Sequence, residues 1–189
     1  YLKAASFIMK NIEKLYAKSV DVHKVDLITE DIYNAVFKDI APEKTAKFRK
    51  LFATAITPEG EISFLDHLFK DMKQKYILSG PPGIYIPQIL ERVLTYAISK
   101  GLNVEAFYCP MNYQKIEHII IKDLQLGFVT SVNPHVLHPE SIAQKDIIID
   151  MSEAMDLSKI SAYEGALKED CETYRMLFDK AVASFSDIT

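Results

Sequence analysis

The sequence predicts an α/β fold, a mostly parallel sheet flanked by helices, with a helical hairpin at its N-terminal end. Three observations carry that prediction. Residues 75–109 read as strand, helix and strand in close succession, a βαβ unit whose two strands must run parallel. Short apolar runs at 117–123, 126–131 and 146–150 supply further strands. Two segments of helical period precede them all.

Taken in order, Leu2, Ala5, Met9, Ile12 and Tyr16 recur at three- and four-residue steps and predict an amphipathic helix over residues 2–18. A second helix over 27–39 should turn Leu27, Ile32, Val36 and Phe37 inward, and "APEK" at 41–44 breaks it. "RKLFATAIT" (49–57) reads as a strand, "TPEG" (57–60) as a turn and "ISFLDHLFKDM" (62–72) as a short helix. "KYILSG" (75–80) suits a buried strand. The helix over 86–100 should bury Ile89, Leu90, Val93, Leu94, Ala97 and Ile98, with Gly101 closing it in the left-handed position. "NVEAFYC" (103–109) is the next strand, ended by Pro110. "EHIIIKD" (117–123) and "LGFVTS" (126–131) are close enough to form an antiparallel hairpin, and "NPHVLHPE" (133–140) is a loop. "DIIID" (146–150) reads as a buried strand. A long amphipathic helix over 160–184 follows, through Tyr163, Ala166, Leu167, Tyr174, Leu177 and Phe178.

Composition sets the outer limits. A chain of 189 residues, 49% hydrophobic and 25% charged, fits one ordinary globular domain. No apolar run approaches the roughly 18 residues a membrane span needs. A net charge of −4 argues against a binder of nucleic-acid backbones, which wants a basic face. Two cysteines far apart, Cys109 and Cys171, do not make a disulfide framework and point to the cytoplasm. The chain opens on Tyr1 within a helical pattern and shows no signal peptide, so it reads as a fragment of a longer protein.

One stretch carries chemistry. "SGPPGIYIP" (79–87) joins a strand to a helix, as the phosphate-binding motif G-x-x-x-x-G-K-[ST] does. In that motif glycines let several N–H groups face phosphate oxygens, the lysine neutralises charge, and the hydroxyl holds magnesium. The candidate loop is Gly80, Pro81, Pro82, Gly83, Ile84, Tyr85, Ile86 and Pro87. Gly80 and Gly83 stand where the motif begins. Tyr85 falls at its second glycine, Ile86 at its lysine and Pro87 at its Ser/Thr. Tyrosine disfavours the positive φ that glycine accepts, isoleucine brings no charge, and proline has neither hydroxyl nor N–H. Proline does suit the first turn of a helix, so the strand–loop–helix shape survives while its grip on phosphate goes. The loss is several kcal/mol, at about 1.5–3 kcal/mol per charged hydrogen bond. A plain βα turn that happens to contain "GPPG" is the alternative.

The surrounding residues resemble a known family. "KLFATAITPEGEISFLDHL" (50–68), then "KYILSGPPG" (75–83), is similar to a largely uncharacterised family of bacterial P-loop ATPase-like proteins that carry two related P-loop domains in one chain. "AFYCP" (106–110), "HIIIKDLQLGFVTSVNPH" (118–135) and "IMKNIEKLYAKSVDVHKVDLI" (8–28) match the family's next strand, its hairpin with a "PH" loop, and its inter-domain helices. The likeness covers most of residues 8–157. It implies a P-loop NTPase-like domain over 46–189, with residues 1–45 an inter-domain helical segment packed on it. It also implies an intact P-loop domain as partner, in the same full-length chain or in another subunit. The family keeps G-K-[ST]; this chain departs from it at Tyr85, Ile86 and Pro87. The implied function is therefore a degenerate half that does not hydrolyse ATP and serves a structural or regulatory role, with ATP and magnesium not firmly held. The alternative is an ATP-binding protein in which other cations, such as Lys47, Arg49 or Lys50, replace the lysine.

Remaining candidates are acids and possible ligands. "DIIIDMSE" (146–153) has the form of a Walker B strand, with Asp150 near magnesium and Glu153 orienting water. Asp123 after "HIIIK" is an equal candidate, and solvated acids capping a buried strand are the plainer reading of Asp150 and Glu153. Cys109, His118, His135 and His138 could gather a metal, although no C-x-x-C accompanies them, and no metal site is predicted. Cys109 with one of these histidines could form a thiol nucleophile.

Overall fold

The computed structural model describes residues 1–133 and 136–186. Helices α1 (Leu2–Ala17) and α2 (Val22–Val36) come first. Strand β1 (Phe48–Leu51), a two-stranded ribbon of β2 (Thr54–Thr57) and β3 (Gly60–Ser63), and α3 (Leu65–Phe69) follow. Then come β4 (Gln74–Ser79), α4 (Ile86–Ser99), β5 (Val104–Cys109), β6 (Asn112–Ile121), β7 (Leu126–Ser131), β8 (Ile147–Asp150), α5 (Leu157–Ile160) and α6 (Glu164–Ser186). The predicted strand over 49–57 is broken at Phe52–Ala53: its first half enters the main sheet and its second pairs with β3 across the 57–60 turn.

The main sheet has the order β1-β5-β6-β7-β4-β8. Neighbouring pairs are parallel except for β5–β6 and β6–β7, so β6 alone runs against the rest. The expected βαβ unit is present, but β4 and β5 are not neighbours, because the β6–β7 hairpin lies between them. This hairpin can fill an interior place because Ile116, Ile119, Ile120, Ile121, Phe128 and Val129 give both of its faces apolar cover.

Alternation along the strands divides the core in two. Tyr76, Leu78, Ala106, Tyr108, Ile119 and Phe128 pack under Ile89, Leu90, Val93 and Ala97 of α4. Ile77, Phe107, Ile120 and Val129 face the opposite way, against Leu65, Phe69 and Leu137. Chain leaving β4 therefore crosses one face toward β5, while chain leaving β7 crosses the other toward β8. The carboxyl ends of β4 and β7 are a point where the winding changes direction, and in open α/β sheets the crevice outside such a point is where ligands bind.

The N-terminal helices pack separately on the domain rather than as a hairpin, α1 against α6 and α2 against α4. Asp21 caps α2 by accepting from the N–H groups of His23 and Lys24. The α2 stripe that faces α4 is Val25, Thr29 and Ile32, and Leu27, predicted inward, is 47% exposed because it falls off that stripe. Ile98 likewise lies outside the buried face of α4. On α6, Leu167 and Ala181 are buried and Ala166 is exposed. Gly101 ends α4 with φ +73°, as its position requires. β8 is an edge strand with Ile148 58% exposed, not the buried strand its composition suggested, since β4 is its one sheet neighbour.

Candidate functional site

The loop after β4 has a tightly curled backbone. Gly80 has φ +138°, Gly83 φ +78° and Tyr85 φ +61° with ψ +11°, the last immediately before α4. Tyrosine disfavours this conformation, yet Tyr85 holds it. It does so at a cost of order 1–3 kcal/mol, with its ring packed partly into the core. Pro87 sits in the first turn of α4, where its missing N–H costs nothing to the helix.

The inside of the curl is apolar. Ile84 and Ile86 are buried in the main core, and a Cβ at Gly80 would collide with the Ile84 side chain. The loop is also covered from above. Gly83 packs so closely on the main chain of Glu13 that no Cβ could be accommodated there. Ser6, Met9, Lys10 and Glu13 of α1 and Tyr174 of α6 close a crevice over the carboxyl ends of β4, β5 and β7. Its volume is about 80 Å³, room for a handful of waters. A ligand pocket normally needs about 300–1,000 Å³.

The crevice wall is polar where β5 meets β6. The register slips between Phe107, which pairs with His118, and Tyr108, which pairs with Ile116, leaving Glu117 as the extra residue of a bulge. Glu117 is buried beside Cys109. Burial first, and then the Glu117 carboxylate, push the Cys109 thiol up to about 12. Burial likewise lifts the Tyr174 phenol to about 12, helped by Glu61, Cys109 and Glu117, and its hydroxyl stands 3.9 Å from Met111 Sδ. Lys115 donates to the Glu13 carboxylate at 2.5 Å, joining the β6 hairpin to α1. Burial pulls the Lys115 amine down, but Glu13 outweighs it and the pKa is raised.

The sequence-predicted acids do not converge here. Asp150 pairs in register with Ser79, just before the loop, but its carboxylate accepts from the Ser152 N–H and caps the turn Met151–Ala154. The Ser152 side chain first, and then its N–H, hold the Asp150 carboxyl below the usual carboxylate range. Glu153 is exposed, and its main-chain carbonyl accepts from Lys24 Nζ. Asp123 lies at the opposite end of the sheet, beyond β6, bound to Lys44 and Asn103. Lys47, Arg49 and Lys50 belong to or adjoin the far edge strand β1. Arg49 pairs with Glu105, and Lys50 Nζ stands 4.9 Å over the Tyr108 ring. None of them lines the loop crevice.

Cys109 and His118 both reach the crevice, but His118 Nδ1 accepts the Thr130 N–H and its ring meets Phe69 edge-on. A thiol raised to about 12 is the reverse of an activated nucleophile. His138 is exposed at the start of the turn Pro139–Ser141; Pro134 and His135, the "PH" pair, lie outside the described residues. Among the described residues, no group of three His, Cys, Asp or Glu stands together as a metal site, and no helix is long and apolar enough to cross a membrane. Sequence reasoning missed Glu13, Lys115 and Glu117. The charges of "KIE" (115–117) before a four-residue buried run were a signal for the last two; nothing local marks Glu13.

The fold and site define an α/β protein with a mixed, mostly parallel sheet, an N-terminal helical pair and a covered glycine loop at the sheet's switch point. Compared with known protein families, curated proteins and solved structures, the chain has no match.

Proposed function

We propose that this chain is a degenerate P-loop NTPase-like domain that does not hydrolyse ATP and acts as a structural or regulatory half beside an intact P-loop ATPase domain. The observation that carries the reading is the Gly83–Glu13 packing. The strand–curl–helix shape resembles that of a phosphate loop, while the main chain of α1 lies on Gly83 and leaves a crevice of only about 80 Å³ beneath it. Ile86 and Pro87 add that the loop has neither the cation nor the magnesium-binding hydroxyl. Such a domain contributes a rigid surface and a fixed loop rather than turnover. Its partner supplies any hydrolysis.

The test is a calorimetric titration of the chain with magnesium–ATP and magnesium–ADP. No binding heat is expected with either. Micromolar binding by the native chain would overturn the reading and return the alternative, an ATP-binding protein with a substitute cation.

A further inference from the structure

We infer that α1 is a displaceable latch over the loop, fastened by Glu13 to Lys115, and that releasing it leaves Lys115 free to take an anion of the diphosphate class. The inference rests on the proposed reading that the loop is closed in this state.

Lys10 and Lys14 of α1 also line the clefts beside the loop, but they would leave with the cover. Among the described lining residues outside α1, Lys115 is the lysine, with Glu117 as its other carboxylate neighbour. Lys115 lines the crevice under α1 and also an adjoining, more open cleft of about 390 Å³ between Gly83, Tyr85, Gln88 and α1. That cleft is within the range of small-ligand pockets. Its anionic partner, Glu13, belongs to the cover and not to the sheet. The carboxylate thus does to Lys115 what a phosphate oxygen would do, a charge-assisted hydrogen bond. Both side chains keep about a quarter of their surface exposed, at 27% and 23%, so a dissolved anion can compete for the amine.

The cover is also separable from the rest. Its fully buried residues, Ala5 and Ile12, lie in neither of the two sheet cores, whereas Val25 and Ile32 of α2 are part of the main one. Tyr16, near the C-terminal end of α1, does pack against the main core. Otherwise α1 is seated on α6, with Asn11 donating to Asp170, so lifting the residues up to Glu13 leaves the buried residues of both cores in place. It would also uncover Cys109, which lies buried in the same crevice.

Cys109 reports the opening. In a Cys171→Ser background, labelling by a thiol reagent under native conditions should speed up about tenfold or more in Glu13→Gln, and by less in Lys115→Met, whose lost cation also holds the Cys109 thiol pKa down. The double variant should label no faster than Glu13→Gln, since both changes remove the same bond. Unchanged rates, or effects that multiply, would overturn the latch, as would equally accelerated exchange of the β4 amides, which would mean the whole fold had loosened. Calorimetry then tests the anion. Glu13→Gln should bind inorganic pyrophosphate and Glu13→Gln/Lys115→Met should not; absence of binding in the single variant would overturn the anion assignment. ADP binding more tightly than pyrophosphate identifies a nucleoside diphosphate as occupant, and equal affinity identifies the diphosphate group alone. Failure of the proposed function would show instead as magnesium–ATP binding by the native chain.

Discussion

The main chain of Glu13 lies directly on Gly83, so α1 covers the loop that follows β4. Gly83 is held there twice, by its φ of +78° and by the missing side chain. Gly83→Ala should therefore cost about 1 kcal/mol for the left-handed backbone and more for pushing α1 away, about 2–4 kcal/mol together. Urea denaturation measures it. A loss of less than about 0.5 kcal/mol, the size of an ordinary surface change, would show that α1 is not seated on the loop.

At the other end of β4, Lys75 Nζ and Asp146 Oδ2 are 2.8 Å apart with side chains 8% and 0% exposed. Burial alone would raise the Asp146 carboxyl. Hydrogen bonds from the Lys75 side chain and from the Ala143 and Lys75 N–H groups outweigh it, and its pKa is lowered. Asp146→Asn should leave Lys75 a buried unpaired charge and cost about 3–5 kcal/mol. A lowered carboxyl contributes stability that is whole above the unfolded value, about 3.9, and is lost as pH falls through the folded one. The stability of the native chain should thus drop in that acid window, and the drop should shrink in Asp146→Asn. Identical acid profiles for the two would remove Asp146 from the account.

Much of this was legible in the sequence, and the misses have physical causes. The helices over 86–100 and 160–184 and the hairpin of β6 and β7 followed from period and spacing, which are local properties. That β6 and β7 separate β4 from β5 is a long-range choice; many strand orders satisfy the same apolar runs. β8 was misjudged because an edge strand of isoleucines reads like a central one. The left-handed bends at Gly80 and Gly83 could be read from the glycines, but the cover over the loop could not. Glu13 meets Gly83 across about 70 residues of chain, and a main-chain contact leaves no pattern in side-chain types. Asp123 looked equal to Asp150 because sequence does not say at which end of the sheet a strand's flanking acid emerges.

Placing the motif's lysine and hydroxyl back, as Ile86→Lys/Pro87→Ser, should not suffice to make a nucleotide site. Ile86 is 2% exposed within the main core, beside Ile89 and Leu90. A lysine there exchanges apolar burial for a desolvated ammonium, a loss of at least about 3 kcal/mol. Differential scanning calorimetry should show the fall in stability, and titration should show no magnesium–ATP binding while Glu13 still covers Gly83. Tight binding by this double variant would mean that α1 does not obstruct the loop.

The two cysteines should differ sharply in reactivity. Cys171 is exposed on α6, and Cys109 is buried with its thiol raised to about 12. At pH 8 the folded protein would then hold only about one part in ten thousand of Cys109 as thiolate, the form that reacts. Mass spectrometry after brief alkylation of the native chain should find Cys171 modified and Cys109 untouched, with Cys109 labelled only after denaturant is added. Raising the pH to 9 should speed Cys171 and leave Cys109 far behind, since the latter is held back by burial and by the Glu117 carboxylate rather than by access alone. Removing that carboxylate in Glu117→Gln should lower the Cys109 pKa and raise its labelling rate several-fold at fixed pH. A rate that does not respond to Glu117→Gln would assign the protection to the covering helices alone, and with it the protonation state of Cys109 would cease to matter for the crevice.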